Sequence, residues 1–373
     1  MAPKLTAIHH RGAKEQMLAH LRFLTRSVLG ADPEAQALAV YAEPSGAGFH
    51  HVPAAGLDYE GVACVDDAAR AVVLYCRLWR SYQYAWLKPT IMRLLNFLVT
   101  MQRDDGAFSN FILDWTGQPN LGSSSSFPGG PWWTARAMRA LAVGLQTFQI
   151  SALDSAFRLG RQWLHQCQSG GALAAAAEAE LDYWLVAGDP ASARFCLYAA
   201  ETIASHREGH ILADDSGSPH FWAHHQERAL MRVAVTFDQP HLSRIAIESA
   251  FELFGQAVVS QFAGRQRTLP YEVSCASCTF DAVYRVSGDP RARELAELAR
   301  AWFCGRNAAS LPVYDPVRQL TYDGVDGESV SSNSGAESNI EAAFALYSVL
   351  PWNHLAAPEC ASACAGARRR VRP

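Results

Sequence analysis

One tripeptide occurs twice in the chain, Gly188-Asp189-Pro190 and Gly288-Asp289-Pro290, 100 residues apart (288 minus 188), each time between two stretches of helical periodicity. Midway between them, Phe237-Asp238-Gln239-Pro240 again places a proline where a helical stretch begins. An aspartate able to cap the second helix, followed by a proline in its first turn, makes a tight helical hairpin. A hairpin repeated about every fifty residues builds a stacked or closed helical array, because each unit buries its apolar face only against its neighbours. Six hairpins fit the chain, so the expectation is an all-α fold, an (α/α)6 toroid of about six helical hairpins. An open α-solenoid is the alternative.

Apolar periodicity of the helical kind recurs almost throughout, and alternating strand patterns are scarce. The predicted helices are 13–29, 60–79, 84–102, 131–148, 151–167, 172–187, 190–206, 219–237, 240–262, 271–287, 290–304 and 335–350. No interdomain linker interrupts them, so residues 1–355 read as one barrel domain. The small, basic, patternless segment 356–373 reads as a disordered tail. Turns inside the hairpins are short. The links into the second, fourth, eighth and twelfth helices (31–58, 103–130, 207–218 and 305–334) are long. In a toroid these links gather on one face, above the N-termini of the inner helices, where free N–H groups and the helix dipole favour negative groups. Function is expected on that face.

Composition excludes several classes. Hydrophobic residues make up 49% and charged residues 18%, with a net charge of -4, which provides no nucleic-acid surface. No apolar run approaches a membrane span, and the N-terminal stretch lacks an apolar core of signal-peptide length, so a cytoplasmic location is expected. The nine cysteines are odd in number and several sit within helical apolar patterns, as buried reduced thiols do. Cys275-x-x-Cys278 has ligand spacing, and His220, His224 and His225 cluster nearby in sequence, but no second thiol pair completes a zinc signature. No metal and no cofactor is expected.

The second predicted helix carries the most distinctive chemistry. It contains Val65-Asp66-Asp67-Ala68-Ala69-Arg70 and then runs apolar, so it is buried on most of its circumference and its charges need partners. Arg70 lies four residues after Asp66 and three after Asp67, within reach of both on a helix. Either the group is a structural ion pair, or one aspartate is held by Arg70 while its neighbour faces a pocket; unlike environments are how acid and base roles separate. At the other predicted inner-helix starts stand Trp132 and Trp133, Trp222 and His224, Tyr271 and Glu272, and Asn333 and Glu337. Aromatic faces ringed by acids and amides suit sugar rings, whose C–H faces stack and whose hydroxyls take paired hydrogen bonds.

Hydrolysis of a glycosidic bond needs a protonated acid at the leaving oxygen and a second carboxylate. Asp66, Asp67, Asp105, Glu272 and Glu337 are the candidates, led by Asp67 and Glu337. Trp132, Trp133, Trp222, His224, Tyr271 and Asn333 are the candidate substrate contacts. Each has a plainer role available. Asp105 can build the turn before Gly106, and Glu272 and Glu337 can complement helix N-termini.

The Glu60-Gly61-Val62 and Val65-to-Arg70 stretches resemble the six-hairpin glycosidase superfamily, chiefly its bacterial glycosidase-like members. So do Trp302-Phe303 with Gly305-Arg306-Asn307, Pro312-Val313-Tyr314-Asp315 with Tyr322-Asp323-Gly324, and Asn333-to-Ser338 with Ile340-Glu341-Ala342. The resemblance spans most of residues 13–350 and concentrates at the two ends. It implies an (α/α)6 barrel acting on an oligosaccharide or polysaccharide through acidic residues at the inner-helix mouth. Because one fold hosts several chemistries, a non-catalytic glycan-binding protein and a sugar epimerase or lyase with His224 or Tyr271 as base remain the alternatives to a glycoside hydrolase.

Overall fold

The computed structural model describes residues 15, 17–30, 34–56, 58–168, 170–214 and 220–347. The segment 356–373, expected to be a tail, lies outside the described residues.

Twelve helices form the described architecture: α1 (Ala19–Leu24), α2 (Val65–Tyr82), α3 (Leu87–Thr100), α4 (Pro131–Phe148), α5 (Ser151–Leu164), α6 (Gly170–Ala187), α7 (Pro190–Ser205), α8 (Gln226–Phe237), α9 (Pro240–Val259), α10 (Pro270–Ser287), α11 (Pro290–Phe303) and α12 (Ala336–Leu346). The even-numbered helices each pack on the next, and α12 packs back on α2, so the inner ring closes. The odd-numbered helices cover it from outside. The chain is thus an (α/α)6 toroid rather than an open solenoid.

The hairpin signature works as a three-residue device at two of its copies. Gly188 and Gly288 take left-handed backbone at φ +63° and +71°, ending one helix. Asp189 and Asp289 then cap the next, accepting from Ala191 N and Arg291 N at 2.9 Å. At the midpoint the mechanism differs. Asp238 itself adopts the left-handed conformation that terminates α8, at φ +59°, in the place taken elsewhere by glycine.

Composition of the inner helices sets their spacing. Helix α6 begins Gly-Gly-Ala-Leu-Ala-Ala-Ala-Ala and is buried from Gly171 to Tyr183, since small side chains let α4 approach closely. A Cβ on Gly171 would stand 2.3 Å from the Trp132 ring.

Two predicted helices are shorter than their periodicity suggested. The first ends at Leu24, with Ala19–Leu24 its continuous run among the described residues, because Thr25–Val28 leaves the helix as β1 and pairs antiparallel with β2 (Ala35–Leu38). Those residues include β-branched Thr25 and Val28, which favour the strand. The eighth begins at Gln226, not near residue 219. Ala223 has φ +55°, incompatible with a helical turn, and residues 220–225 form an irregular turn before it.

The long links are also more structured than expected. They carry short antiparallel ribbons: β3 (Tyr41–Ser45) with β4 (Gly48–Val52), β5 (Ala63–Cys64) with β6 (Phe111–Ile112), and β7 (Arg207–Glu208) with β8 (Ile211–Leu212). Further ribbons pair β10 (Tyr314–Asp315) with β11 (Leu320–Thr321), and β12 (Val325–Asp326) with both β9 (Arg267–Thr268) and β13 (Ser329–Val330). Two-residue strands give too weak an alternation to read from sequence. They brace the inner-helix N-termini: Val65 N donates to Asn110 O just after β5, and Gly335 N donates to Asp323 Oδ1 at 2.7 Å at the entry to α12.

Candidate active site

The N-terminal turns of the inner helices converge on a cavity along the barrel axis. Arg70 and Arg77 of α2, Arg136 and Arg139 of α4, Glu178 of α6, Arg228 of α8, Tyr271 of α10 and Glu341 of α12 are among its lining, with His225 from the turn before α8. Two layers of charge occupy it. Arg70, Arg136 and Glu341, with the acids that the arginines hold, form the mouth; Arg77, Arg139 and Glu178, deeper along their helices, form the floor with Arg228 from the first turn of α8.

At the mouth, one guanidinium gathers four carboxylates from opposite ends of the chain. Arg70 Nη2 lies 2.7 Å from Asp67 Oδ1, 3.2 Å from Glu337 Oε2 and 3.9 Å from Asp66 Oδ2, while Nη1 lies 3.2 Å from Glu341 Oε1. Asp66 also pairs closely with Arg136. The four acids have unlike surroundings. Asp67 is 2% exposed. Its Oδ2 accepts from the Cys64 thiol at 3.3 Å, and burial, only partly opposed by Arg70, raises its pKa to about 6. Burial acts on Asp66 in the same sense but is outweighed by Arg136 and then Arg70, which hold it below the usual carboxylate value. Asp66 Oδ1 has no hydrogen-bond partner among the described residues. Glu341 accepts from Ser274 Oγ at 2.9 Å, and burial, opposed by Arg70, raises its pKa. The side chains of Asp66 and Glu337 keep 17% and 32% of their surface, more than those of Asp67 and Glu341, although Asp66 Oδ1 is itself buried.

The aromatic wall of the mouth comes from the starts of α4 and α10 and the turn before α8. Trp222 Nε1 donates to Glu337 Oε1 at 3.4 Å, and its ring meets Trp132 at 6.1 Å and Tyr271 at 5.5 Å between centroids. The Arg136 guanidinium lies 5.1 Å from the Trp132 centroid and 5.6 Å from that of Tyr271. Tyr271 Oη accepts from Arg136 Nη2 at 2.9 Å and lies 2.9 Å from His225 Nε2. Burial and then Arg228 push the His225 pKa well down, so its ring is neutral and can accept the tyrosine hydroxyl hydrogen at Nε2.

Several residues expected at the site lie elsewhere. Trp133 is buried, donates Nε1–H to Phe108 O at 2.8 Å and packs on Phe127, so it anchors the 103–130 link and offers no platform. His224 is 0% exposed, clamped between Asp214 Oδ2 at 3.1 Å and Glu227 Oε1 at 3.0 Å. Burial lowers its pKa, but Glu227 and Asp214 outweigh that and carry it to about 10, so it is a cation fixing the turn before α8. Asp105 accepts from Ala107 N at 3.0 Å within its own turn, beside α5 of the outer layer, whose Trp163 donates to its carbonyl at 2.9 Å. Glu272 folds back to accept from Leu269 N at 2.8 Å and pairs with Arg265 at 2.5 Å, capping α10. Asn333 shapes the link before α12, where its carbonyl accepts from Asp323 N at 2.9 Å.

The floor escaped the sequence reading altogether. Glu178 meets Arg139 at 2.5 Å, Arg228 at 2.9 Å and Arg232 at 3.1 Å; Asp182 meets Arg232 at 2.5 Å and Arg139 at 3.0 Å. Burial would raise the Glu178 pKa, yet the three arginines hold it well below its ordinary value. Its signal was present in spacing: Glu178 and Asp182, and Arg228 and Arg232, are each four apart inside apolar helices, where unpaired charge is not tolerated. Likewise Glu341 follows Glu337 by four on α12. Among the described residues, no group of three or more His, Cys, Asp or Glu is arranged to hold a metal ion.

No protein-family model and no curated protein matches the sequence. Solved structures do match the fold. A sugar epimerase from a ruminal bacterium superposes with a TM-score of 0.65 at 11% identity, over 92% of this chain and 99% of that one. A D-mannose isomerase gives 0.67 at 10% identity, over 93% and 97%. A family 76 glycoside hydrolase from a bovine Bacteroides thetaiotaomicron strain gives 0.61 at 9% identity, over 91% and 77%. The chain therefore shares the (α/α)6 toroid fold of these structures.

Proposed function

We propose that the protein is a carbohydrate-active enzyme, a glycoside hydrolase in which Asp66 and Glu337 contact the saccharide at the barrel mouth. The observation that carries this reading is the gathering of four carboxylates on Arg70, of which Asp66 and Glu337 have the most exposed side chains, beside the Trp222 ring. Asp66, kept ionised by Arg136, is the carboxylate that activates water or attacks the anomeric carbon. Glu337 is the acid that delivers a proton to the leaving oxygen. Net reaction adds water across the bond, leaving one new hydroxyl and one new reducing end. Asp67, buried beneath them, positions Arg70. Trp222 and Trp132 supply the stacking wall. The fold neighbours include a variant of an alpha-1,6-mannanase, described as inactive, in which two adjacent aspartates are replaced by asparagine, in complex with alpha-1,6-mannotriose. The adjacent Asp66 and Asp67 invite the same test here.

Glu337→Gln is the cleanest variant, because Arg70 keeps Asp67 and Glu341 as partners. Release of reducing ends from a panel of aryl glycosides and oligosaccharides should fall by about 10²- to 10⁴-fold, the usual contribution of a general acid, with unchanged helical content. Undiminished turnover excludes this assignment.

A second reading rests on one separate observation, the neutral His225 bonded to Tyr271 on the cavity wall. Tyr271 Oη can take a proton from a sugar carbon as it passes its own to the neutral His225 Nε2, the proton abstraction that an epimerase or isomerase requires. That chemistry yields a rearranged sugar with solvent deuterium at carbon and no new reducing end, and neutral His225→Phe, rather than Glu337→Gln, abolishes it.

A further inference from the structure

The floor of the cavity contains more cation than its acids can satisfy. Arg139, Arg228 and Arg232 share Glu178 and Asp182. Arg77, the fourth guanidinium of this layer, lines the cavity and has no hydrogen bond or ion pair among the described residues; the Phe344 ring lies 5.4 Å away, Cζ to centroid. Arg139 Nη2, on the same cavity wall, is buried and likewise without a hydrogen-bond partner. Burial first, and then Arg139, Arg228 and Arg232, lower the Arg77 pKa to about 9, which reports how poorly its charge is compensated. A half-buried cation without a paired acid costs stability, and its persistence at a cavity wall is accounted for if an anion completes it.

We propose that Arg77 and Arg139 form an anion subsite at the cavity floor that takes the carboxylate or phosphate substituent of an acidic saccharide. The inference rests on the saccharide reading of the mouth. Seven residues separate Arg70 from Arg77 on α2, about 10 Å along the axis, so a sugar entering past Trp222 points its charged substituent down the barrel. Planar guanidiniums with free N–H groups suit either oxyanion in bidentate fashion. The acidic mouth and basic floor also impose an orientation. An anionic group is repelled by Asp66 and Glu337 and held by Arg77, which leaves the neutral, glycosidic end of the sugar against the working carboxylates.

Binding of D-glucuronate, D-glucose 6-phosphate, D-glucose and inorganic phosphate, measured calorimetrically on the wild-type protein and on Arg77→Met, tests this. An acidic sugar should bind the wild type roughly 10- to 100-fold more tightly than glucose, the range of a charge-assisted hydrogen bond. Arg77→Met should erase that margin while melting no lower than wild type, because it deletes an unpaired charge. Which acidic sugar gains the margin identifies carboxylate or phosphate. Equal binding of glucuronate, glucose 6-phosphate and glucose overturns the subsite and leaves the saccharide reading standing. A margin retained in Arg77→Met overturns the assignment to Arg77. Binding of inorganic phosphate alone, with no sugar bound, overturns the saccharide part of the inference together with the reading it rests on.

Discussion

The mouth and the floor of the barrel are built from the same residue types in opposite proportion. At the mouth, Asp66, Asp67, Glu337 and Glu341 surround Arg70 and Arg136; at the floor, Arg77, Arg139, Arg228 and Arg232 surround Glu178 and Asp182. Each layer is therefore strained electrostatically in the opposite sense. The mouth raises the pKa of an acid, Asp67, and the floor lowers that of an arginine, Arg77. A purely structural network would neutralise both. The imbalance shows that burial alone does not dictate pairing, and under the proposals above the surplus at each level is met by the ligand.

Removing an acid should consequently have opposite effects at the two levels. Glu178→Gln leaves Arg139 and Arg232 sharing Asp182 and Arg228 with no carboxylate, and should destabilise the fold by about 3–5 kcal/mol, read from urea unfolding. Asp67→Asn should do the reverse. Its folded pKa of about 6 lies above the unfolded value of 3.8, so its contribution to stability is complete below pH 3.8 and is lost as pH rises through 6. At pH 8 the asparagine variant should be more stable than wild type by roughly 1–3 kcal/mol. Destabilisation of similar size by both variants would show that the two layers do not differ as described.

The adjacent His224 and His225 sharpen the contrast between scaffold and site. His224 is held charged by Asp214 and Glu227, whereas His225 is driven neutral by burial and Arg228. Since the His224 folded pKa of about 10 exceeds the unfolded 6.5, its stabilisation is complete below pH 6.5 and disappears as pH rises to 10. The stability difference between wild type and His224→Gln should shrink across that window, by on the order of a few kcal/mol, in melts at stepped pH. No comparable slope is expected for His225→Gln, and one of equal size would contradict the separation. The smallest effect belongs to Arg77→Met, whose melting temperature should equal or slightly exceed that of wild type in the absence of ligand.

How far the sequence discloses this arrangement depends on the kind of signal. The toroid follows from Gly188-Asp189-Pro190 and Gly288-Asp289-Pro290, because left-handed glycine, capping aspartate and N1 proline are local requirements of a helical turn. Arg70 with Asp66 and Asp67 is legible for the same reason, being spaced within one helix. The convergence of Glu337 on Arg70 follows only once the ring is assumed to close. Trp133 and His224 were expected at the site because they begin or precede inner helices, yet their side chains point outward to Phe108, Asp214 and Glu227. Position at a helix start fixes height along the barrel and not the direction faced. The two-residue strands and the Arg139, Arg228 and Glu178 cluster depend on tertiary pairing, which single-helix patterns do not carry.

A crystal of the Glu337→Gln protein soaked with mixed small saccharides tests the central claim most directly. The account predicts a sugar at the mouth, stacked on Trp222, with its glycosidic oxygen between Asp66 and the substituted position 337 and any acidic substituent turned toward Arg77. A sugar bound on the outer helices, or one in the cavity that leaves Asp66 and position 337 untouched, would contradict it.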